Sequence, residues 1–485
     1  MSEAITLKNV LKIDECTYEI PKSYRPDMLV PARIFMNDRM IDDVLSDRAL
    51  WQLANVATLP GIQKYAFGMP DIHQGYGFPI GGVAATAIDE GGVISPGGIG
   101  YDINCGVRLL AAHMSADELQ PYLEKLATRL FHAVPSGVGR GGNLTFKSEE
   151  LDKILMHGAH RMLELDYGTQ ADLTFCEEQG RMAIADSRLI SKHAKKRGAD
   201  QIGTLGSGNH FLEVQVVDEI FNEQAAEAFG LYKGQVTIMI HCGSRGLGHQ
   251  TCTDYVRVMV NRLSHWGYEL PDRELVYAPF HSPEAQDYFG AMAAASNYAW
   301  ANRHMIGHWV RQTWHEVVGH DTPLDLVYDV SHNIGKLETH TIDGIEKKLL
   351  MHRKGATRAF GPGRAEVPDR YQAIGQPVLI PGTMGTASYV LTGTDSSMDR
   401  AFGSSCHGAG RKMSRAQAKK IVHGSQLRQQ LTHKGIIIRS DSDQGLAEEA
   451  PLAYKDVEDV VDVVHGAGLA HKVARLKPLA VIKGG

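Results

Sequence analysis

Three histidines stand beside glycine or asparagine at the ends of short strand-like segments. His210 precedes one such segment, and His241 and His332 each follow one. Loops at strand ends commonly carry binding residues, because rigid strands hold those residues in place. Asp102 and Cys105 lie three residues apart in the glycine-rich turn GGIGYDINCG, so both side chains can point into the same site. Together the five residues predict a metal centre.

The ligand types restrict the metal but leave the number of ions open. One thiolate, one carboxylate and three imidazoles can serve a single ion, or two ions with Cys105 as a bridge. Imidazole suits Zn, Fe, Ni and Mn, and a carboxylate with open coordination positions favours a harder ion such as Mn. Two-metal sites recur in phosphoryl chemistry, because the ions stabilise both the attacking and the leaving oxygen.

A second candidate centre is the segment GSSCHGAGRK, residues 403–412, in which His407 is followed by a glycine-rich backbone. Backbone N–H groups in such a loop can bind phosphate oxygens, and Arg411 and Lys412 can neutralise phosphate charge. Imidazole is a suitable nucleophile at pH 7, because its unperturbed pKa of about 6.5 leaves it mostly neutral. From the local sequence, His407 is either a nucleophile toward phosphorus or a simple ligand of metal or phosphate.

Short strands and a few clear helices must position these residues. Four strands are predicted from apolar runs bounded by turn residues: Phe211–Val217, Gln235–Ile240, Leu324–Val330 and Pro377–Ile380. Ser282 followed by Pro283 predicts the start of a helix that extends to about Val318 with an interruption at Gly307. A second helix is predicted over Ser414–Val422.

Strands and helices without clean βαβ alternation indicate the α+β class. The sequence contains neither an internal repeat nor a long Pro/Ser-rich linker. We therefore predict a single compact domain over residues 1–485, with mixed β-sheets flanked by helices. The active site is expected at the Gly-rich loops at the strand ends.

The composition is that of a globular protein, with 485 residues, 43% hydrophobic and 22% charged. A formal charge of −6 excludes a protein that is basic throughout, although a local basic groove is compatible with it. The N-terminus has no secretory signal pattern, and no segment approaches the ~18 apolar residues of a membrane helix. The six cysteines show no CxxC pair, so we expect free thiols in a reducing cytoplasm.

Charge is segregated near the C-terminus. Residues 400–440 contain nine Lys/Arg and no Asp/Glu, whereas residues 441–463 contain eight acidic residues and only Lys455. A second stretch, residues 346–364, carries six basic residues and one acidic residue. Because both basic stretches border glycine-rich loops, they are either solvated faces or a surface for a polyphosphate or nucleic-acid backbone.

Eight motifs in chain order resemble those of the RtcB-type RNA-splicing ligases: GGIGYDINCGVR, LGSGNHFLE, IHCGSRGLGH, YDVSHN, RKGATRAF, PGTMGTASYVL, SSCHGAGR and the terminal VIKG. The resemblance extends from about Pro70 to the C-terminus. It implies a GTP- and Mn²⁺-dependent ligase that joins 2′,3′-cyclic phosphate or 3′-phosphate RNA ends to 5′-hydroxyl ends. The reaction would pass through a histidine–GMP intermediate and serve tRNA splicing or RNA repair.

The resemblance also implies roles for individual residues. Cys105, His241 and His332 would hold one Mn²⁺, Asp102, Cys105 and His210 would hold the other, and His407 would be guanylylated. The positions that would contact the guanylate are Asn209, His210, Phe211, Leu212, Glu213, His332, Asn333, Pro381, Gly382, Thr383, Met384, Ser388, His407, Gly408, Ala409, Gly410, Tyr454 and Lys483.

Guanine recognition would rest on two charged residues. The Glu213 carboxylate would accept hydrogen bonds from guanine N1–H and N2–H₂, and Lys483 would donate to O6. For Glu213 and His210 to reach one site, the strand must bend or begin after His210. Lys483 is expected to arrive because the C-terminal tail folds back over the pocket.

Two alternative functions are compatible with the same residues. One is a metal-dependent phosphoesterase that transfers phosphate only to water, and the other is an RNA-binding scaffold with structural metals. The resemblance leaves the RNA substrate open between tRNA halves, which are favoured, and damaged transcripts, and it implies archease as a candidate partner and monomeric catalysis. No membrane association is expected, because no segment is apolar over the length of a membrane helix.

Overall fold

Two large β-sheets with helices packed against them dominate the computed structural model, which describes residues 5–484. Met1–Ala4 and Gly485, which the predicted domain includes, lie outside the described residues. Both sheets are mixed, since most neighbouring strands are antiparallel but one pair in each is parallel. The α+β prediction is confirmed.

The strands, numbered in chain order, are β1 Leu11–Asp14, β2 Thr17–Ile20, β3 Ala32–Phe35, β4 Ala66–His73, β5 Ile80–Ala87, β6 Val93–Ile94, β7 Gly106–Ser115, β8 Phe211–Ile220, β9 Gln235–Cys242, β10 Ala278–Pro279, β11 Leu324–Ser331, β12 Asn333–Ile342, β13 Ile345–Lys354, β14 Ala356–Arg358, β15 Pro377–Ile380, β16 Ser388–Gly393, β17 Ser404–Cys406, β18 Ile437–Arg439 and β19 Ala470–Ile482. The α-helices are α1 Ile41–Leu45, α2 Ala49–Val56, α3 Ala116–Leu119, α4 Leu123–Ala133, α5 Ser148–His157, α6 Ala159–Glu164, α7 Ala171–Thr174, α8 Lys192–Gly198, α9 Glu223–Phe229, α10 Arg245–Val260, α11 Leu263–Trp266, α12 Pro283–Val317, α13 Asp395–Ala401, α14 Arg415–Ile421, α15 Gly424–His433, α16 Asp443–Glu448 and α17 Val457–Gly466.

The seven-stranded sheet has the order β1-β2-β3-β4-β5-β13-β12. The second sheet has the order β11-β7-β9-β8-β19-β16-β15, and β18 pairs with β19 as its eighth strand. Two short pairs, β10 with β6 and β14 with β17, complete the strand pairing in the described part of the chain.

The register of the second sheet brings the predicted metal ligands to one edge. Gly106, which follows Cys105, lies opposite Ser331 on β11 and opposite Cys242 on β9. On the far side of β9, Phe211 of β8 pairs with His241. Antiparallel neighbours thus place positions that are far apart in sequence beside one another.

The longest helix, α12, lies at the centre of the helical layer and packs against α4, α5, α6 and α10. Its start is as predicted, because Ser282 Oγ accepts a hydrogen bond from Ala285 N at 3.3 Å and Pro283 occupies the first turn. The predicted interruption at Gly307 is wrong. A Cβ at Gly307 would lie 3.2 Å from the Arg108 guanidinium, so glycine permits close packing there without breaking the helix.

The four predicted strands are all present, and their ends differ by at most three residues from the prediction. The predicted helix at Ser414 forms as α14, with a capping box between Ser414 and Gln417. Within residues 5–484, no helix combines the length and apolar character that a membrane span requires.

Candidate active site

A cavity of about 1050 Å³ is lined by residues from both large sheets and from the glycine-rich loops. Strand ends of the second sheet contribute Asn209, His241 and His332, and the first sheet contributes His73 and Lys354. The predicted metal-binding and nucleophile segments therefore open into one space.

The five predicted metal ligands form two groups that share Cys105. Cys105 Sγ lies 3.3 Å from His210 Nε2 and 3.3 Å from His241 Nε2. His241 Nε2 lies 3.3 Å from His332 Nε2, and His210 Nε2 lies 2.8 Å from Asp102 Oδ2. In each group of three the potential ligand atoms lie within 4.8 Å of one another.

The donor set fits a divalent cation. Burial lowers the pKa of His241 and of His332 well below the usual range, so both imidazoles are neutral and can offer a lone pair. Burial, followed by the charge of Asp102, raises the pKa of the Cys105 thiol to about 12. Because a bound cation favours the thiolate, metal binding and loss of the thiol proton are coupled at Cys105.

His407 lies beside this cluster and is oriented by a buried carboxylate. Its ring centre is 4.8 Å from that of His332, and its Nδ1 donates a hydrogen bond to Asp71 Oδ2 at 2.5 Å. The backbone N–H of His407 donates to the same oxygen at 3.1 Å. With the proton held on Nδ1, the Nε2 lone pair is available for nucleophilic attack.

Sequence reasoning missed Asp71, which lies on β4 and is fully buried. It is 336 residues from His407 in the chain, so no local spacing indicates the contact. Lys455 supports it, since Lys455 Nζ donates to the carbonyls of Pro70 and Ile72 at 3.1 and 2.6 Å. These two carbonyls flank Asp71, and the lysine therefore fixes the backbone that carries the carboxylate.

Most positions predicted to contact the guanylate line the cavity. They are Asn209, Phe211, His332, Asn333, Pro381, Gly382, Thr383, Met384, His407, Gly408, Ala409, Gly410, Tyr454 and Lys483. Asn333 also connects the loops, because its side chain donates to Asp102 O at 3.1 Å and accepts from Gly355 N at 2.8 Å. His210 lies behind them as a potential metal ligand. The Leu212 side chain is not brought to the cavity and packs in an apolar cluster.

The remaining two positions, Glu213 and Ser388, form a buried polar group behind the cavity lining. Gln215 Nε2 donates to Glu213 Oε2 at 2.8 Å and to Ser388 Oγ at 3.2 Å. Ser388 Oγ accepts from Gly382 N at 3.0 Å. Burial raises the pKa of Glu213 to about 8. The strand β8 begins at Phe211, after His210, as the prediction for Glu213 required.

Lys483 reaches the site by a different route from the one expected. It follows β19, which pairs antiparallel with β8 in the interior of the sheet, so no tail folds back over the pocket. Lys483 Nζ donates to Gly208 O at 2.6 Å and to His210 O at 3.3 Å. Burial lowers the pKa of Lys483.

The buried carboxylate of Glu449 accepts hydrogen bonds from three residues that line the cavity: Arg411, Arg415 and Tyr454. Arg411 donates to Glu449 at 3.1 Å and to Tyr454 Oη at 3.0 Å, and Tyr454 Oη in turn donates to Glu449. Arg415 donates to the second Glu449 oxygen at 2.9 Å. Although burial opposes ionisation, Lys483 and the two arginines lower the pKa of Glu449 to about 2. The carboxylate is therefore ionised, and it holds the cationic side chains of Arg411 and Arg415 in place at the cavity wall.

Comparison with known proteins assigns the family. The family model described as tRNA-splicing ligase RtcB matches residues 52–484. A tRNA-splicing ligase RtcB of Archaeoglobus fulgidus is 54% identical over 98% of both chains, and one of Thermococcus kodakarensis is 53% identical over the whole of both. The RNA-splicing ligase RtcB of Mycobacterium tuberculosis is 52% identical over 89% of this chain and all of its own. On these matches the chain belongs to the RtcB family of tRNA-splicing ligases.

Proposed function

We propose that this RNA ligase joins 2′,3′-cyclic phosphate or 3′-phosphate ends to 5′-hydroxyl ends, with GTP as co-substrate and two Mn²⁺ ions. The relatives that match nearly the full chain are named as ligases, so the phosphoesterase alternative is not favoured. The observation that carries the proposal is the Asp71–His407 pair, in which the hydrogen bond at Nδ1 leaves the Nε2 lone pair available beside a two-group ligand cluster.

His407 is the proposed nucleophile toward the α-phosphorus of GTP. Its Nε2 forms a bond to phosphorus, the bond from that phosphorus to the bridging oxygen breaks, and pyrophosphate leaves. Asp71 stabilises the positive charge that develops on the imidazole, because it accepts the Nδ1–H hydrogen bond throughout. The backbone N–H groups of Gly408, Ala409 and Gly410 lie in the same loop and can bind phosphate oxygens.

The guanylate then transfers from His407 to the RNA 3′-phosphate. An RNA 5′-hydroxyl attacks the activated phosphate, the new phosphodiester forms, and GMP leaves. A cyclic phosphate end must first be opened by water to give the 3′-phosphate. Arg411, fixed by Glu449, supplies a positive charge in the cavity wall for the phosphates of these intermediates.

The proposed metal ligands are Cys105, His241 and His332 for one ion, and Asp102, Cys105 and His210 for the other. When bound, Mn²⁺ supplies Lewis acidity and a template for phosphate oxygens. The neutral imidazoles of His241 and His332 and the carboxylate of Asp102 match the ligand preference of this ion, and Cys105 is common to both groups.

Guanine is proposed to lie against Lys483, which lines the cavity, and to reach Glu213, which is buried directly behind that lining. An ionised Glu213 accepts from N1–H and N2–H₂, Lys483 donates to O6, and Tyr454 packs beside the base. Adenine presents the reverse pattern at positions 1 and 6 and leaves these buried groups without partners. Substrates are proposed to be tRNA halves or damaged transcripts, with archease as a candidate partner, a monomeric enzyme and a cytoplasmic location.

Labelling with α-labelled GTP tests the central step. We expect the wild-type protein to form a covalent protein–GMP adduct and the His407→Ala variant to form none while its Mn²⁺ content stays unchanged. A His407→Ala variant that still takes up label would show that the nucleophile is another residue. If wild-type protein opens a cyclic phosphate but never takes up label, the phosphoesterase alternative is correct.

A further inference from the structure

Behind the cluster of Cys105, His241 and His332 lies a fully buried arginine, Arg303, in the middle of α12. The site described above does not include it, because it lies on the protein side of the ligands and does not line the cavity. Its guanidinium makes hydrogen bonds to three segments: the loop before β7, which carries Cys105; β9, which carries His241; and β11, which directly precedes His332.

The contacts are specific to the ligand-bearing segments. Arg303 Nη1 donates to Asn104 O at 2.6 Å, next to Cys105, and to Cys242 O at 3.0 Å, next to His241. Nε and Nη2 donate to Asp329 at 3.0 and 2.8 Å. Asp329 lies on β11, three residues before His332.

Asn104 gives the same loop a second attachment to α12. It has φ +52°, a left-handed conformation that is uncommon for a residue other than glycine. Its side-chain oxygen accepts from Arg303 Nη2 at 3.2 Å, and its Nδ2 donates to Ser296 O at 2.7 Å. The turn between Asp102 and Cys105 is thus held on a rigid helix.

We propose that Arg303 is a positioning residue that sets the spacing of Cys105, His241 and His332 for their metal ion. A planar guanidinium can bond to a carboxylate and two carbonyls at once, whereas the compact ammonium of lysine cannot reproduce that fork. Supporting contacts of this kind typically tune metal affinity by roughly 10- to 100-fold. The inference rests on the proposed metal centre.

Arg108 provides a matched control. It is also fully buried and donates to Asp329 at 2.8 Å, but its Nη1 and Nη2 have no hydrogen-bond partner among residues 5–484. Arg108 and Arg303 therefore share the same carboxylate, and only Arg303 connects it to the ligand-bearing loops. A role limited to core stability predicts equal effects for the two arginines.

The experiment measures Mn²⁺ binding by equilibrium dialysis after chelator treatment, together with thermal unfolding, for Arg303→Lys, Arg303→Met, Arg108→Lys and Arg108→Met. We expect Mn²⁺ affinity to fall by roughly 10- to 100-fold in the Arg303 variants and to stay close to wild type in the Arg108 variants. The midpoint of unfolding without metal should fall in both pairs.

Asn104→Gly keeps the test valid if Arg303→Met does not fold, since glycine accepts the positive φ and removes the side-chain contacts to α12. It should weaken Mn²⁺ binding in the same direction. Wild-type affinity in both Arg303→Lys and Asn104→Gly, or equal losses in the Arg303 and Arg108 pairs, would overturn the inference. If the wild-type protein binds no Mn²⁺, the proposed metal centre itself is wrong.

Discussion

At the residue scale, the proposed role of His407 as nucleophile depends on which ring nitrogen carries the proton. Asp71 accepts a hydrogen bond from Nδ1 and from the backbone N–H of His407, so it fixes both the ring and the loop. In Asp71→Asn the amide can donate to Nδ1 instead, which moves the proton to Nε2 and removes the nucleophilic lone pair.

We therefore expect Asp71→Asn to slow protein–GMP formation by roughly 10²- to 10⁴-fold, with Mn²⁺ content unchanged. Single-turnover labelling with α-labelled GTP measures the rate. Asp43→Asn is the matched control, because Asp43 also lines the cavity but is exposed. Equal rates in the two variants would contradict the assignment of Asp71.

Glu213 predicts a pH dependence of nucleotide binding. Burial raises its pKa from 4.5 to about 8, so in the free protein the carboxyl is largely protonated at neutral pH. The stabilisation that Glu213 gives to the folded state is fully present below the pKa of this carboxyl in the unfolded chain. It is lost as the pH rises through the pKa of about 8 that the carboxyl has in the folded protein. In the proposed complex guanine needs the ionised form of Glu213 as acceptor, so we expect GTP binding to release a proton below about pH 8.

We expect GTP affinity to increase by up to about tenfold per pH unit below pH 8 and to level off above it. Calorimetric titrations in buffers of different ionisation enthalpy measure the released proton. Glu213→Gln should bind GTP more weakly at pH 8 and lose this pH dependence. If the variant keeps the wild-type slope, the proton comes from another group.

At the element scale, the loop of residues 407–410 and β4 approach each other so closely that one position requires glycine. Gly410 has φ +73°, and a Cβ there would lie 2.2 Å from Asp71 O. In contrast, a Cβ at Gly408 would have its nearest neighbour, Pro381 O, at 3.4 Å. The loop can lie this close to the strand that carries Asp71 because Gly410 has no side chain.

Gly410→Ala should lower the free energy of unfolding by roughly 1–3 kcal/mol through backbone strain and the clash with β4. Gly408→Ala should change it by much less. Urea unfolding of the nucleotide-free variants measures the difference, and Gly410→Ala should also form less protein–GMP because the clash displaces Asp71. Equal stability of the two variants would show that the loop moves freely away from β4.

Local sequence signals predicted the elements of the site well. The strands at His210, His241 and His332 and the N-terminal boundary of α12 follow from apolar runs and from the Ser282–Pro283 cap. Local signals could not show which residues that are distant in sequence contact one another in the folded protein. Gly307 illustrates this, because glycine weakens an isolated helix but here allows Arg108 to pack closely in the folded protein.

At the scale of the whole molecule, the segregated charges of the C-terminal region combine on folding. The acidic stretch 441–463 folds against the basic stretch 400–440. Glu449 pairs with Arg411 and Arg415, Glu448 with Lys419, and Asp443 with Arg428. Two more basic residues pair elsewhere, Arg400 with Asp14 and Arg439 with Glu124. The net charge of residues 400–440 therefore overstated the positive surface of the protein, because the sequence does not show which acidic residues form ion pairs with these basic residues.

Three of the nine basic residues in 400–440 have no ion pair within the described chain: Lys412, Lys420 and Lys434. Lys412 lines the active-site cavity, whereas Lys434 borders a separate groove beside Ile436. Both are exposed, so each can release a counterion only if RNA phosphates pass near it. The position of these lysines relative to the cavity predicts different roles in RNA binding.

If RNA enters through the cavity mouth, Lys412→Ala should reduce the slope of log K against log salt by about 0.7, the value for one phosphate contact of a single strand. Lys434→Ala should leave the slope unchanged, because its groove is separate from the cavity. Fluorescence anisotropy of a labelled single-stranded RNA over a range of salt concentrations measures both slopes. Since neither substitution removes an ion pair or a buried group, unfolding temperatures should match the wild type. A Lys412→Ala slope equal to the wild-type slope would show that the strand does not pass Lys412. The other basic stretch, residues 346–364, does not offer a second basic path, because Arg353, Lys354 and Arg358 are buried and Lys347 and Arg364 pair with Glu90 and Glu366.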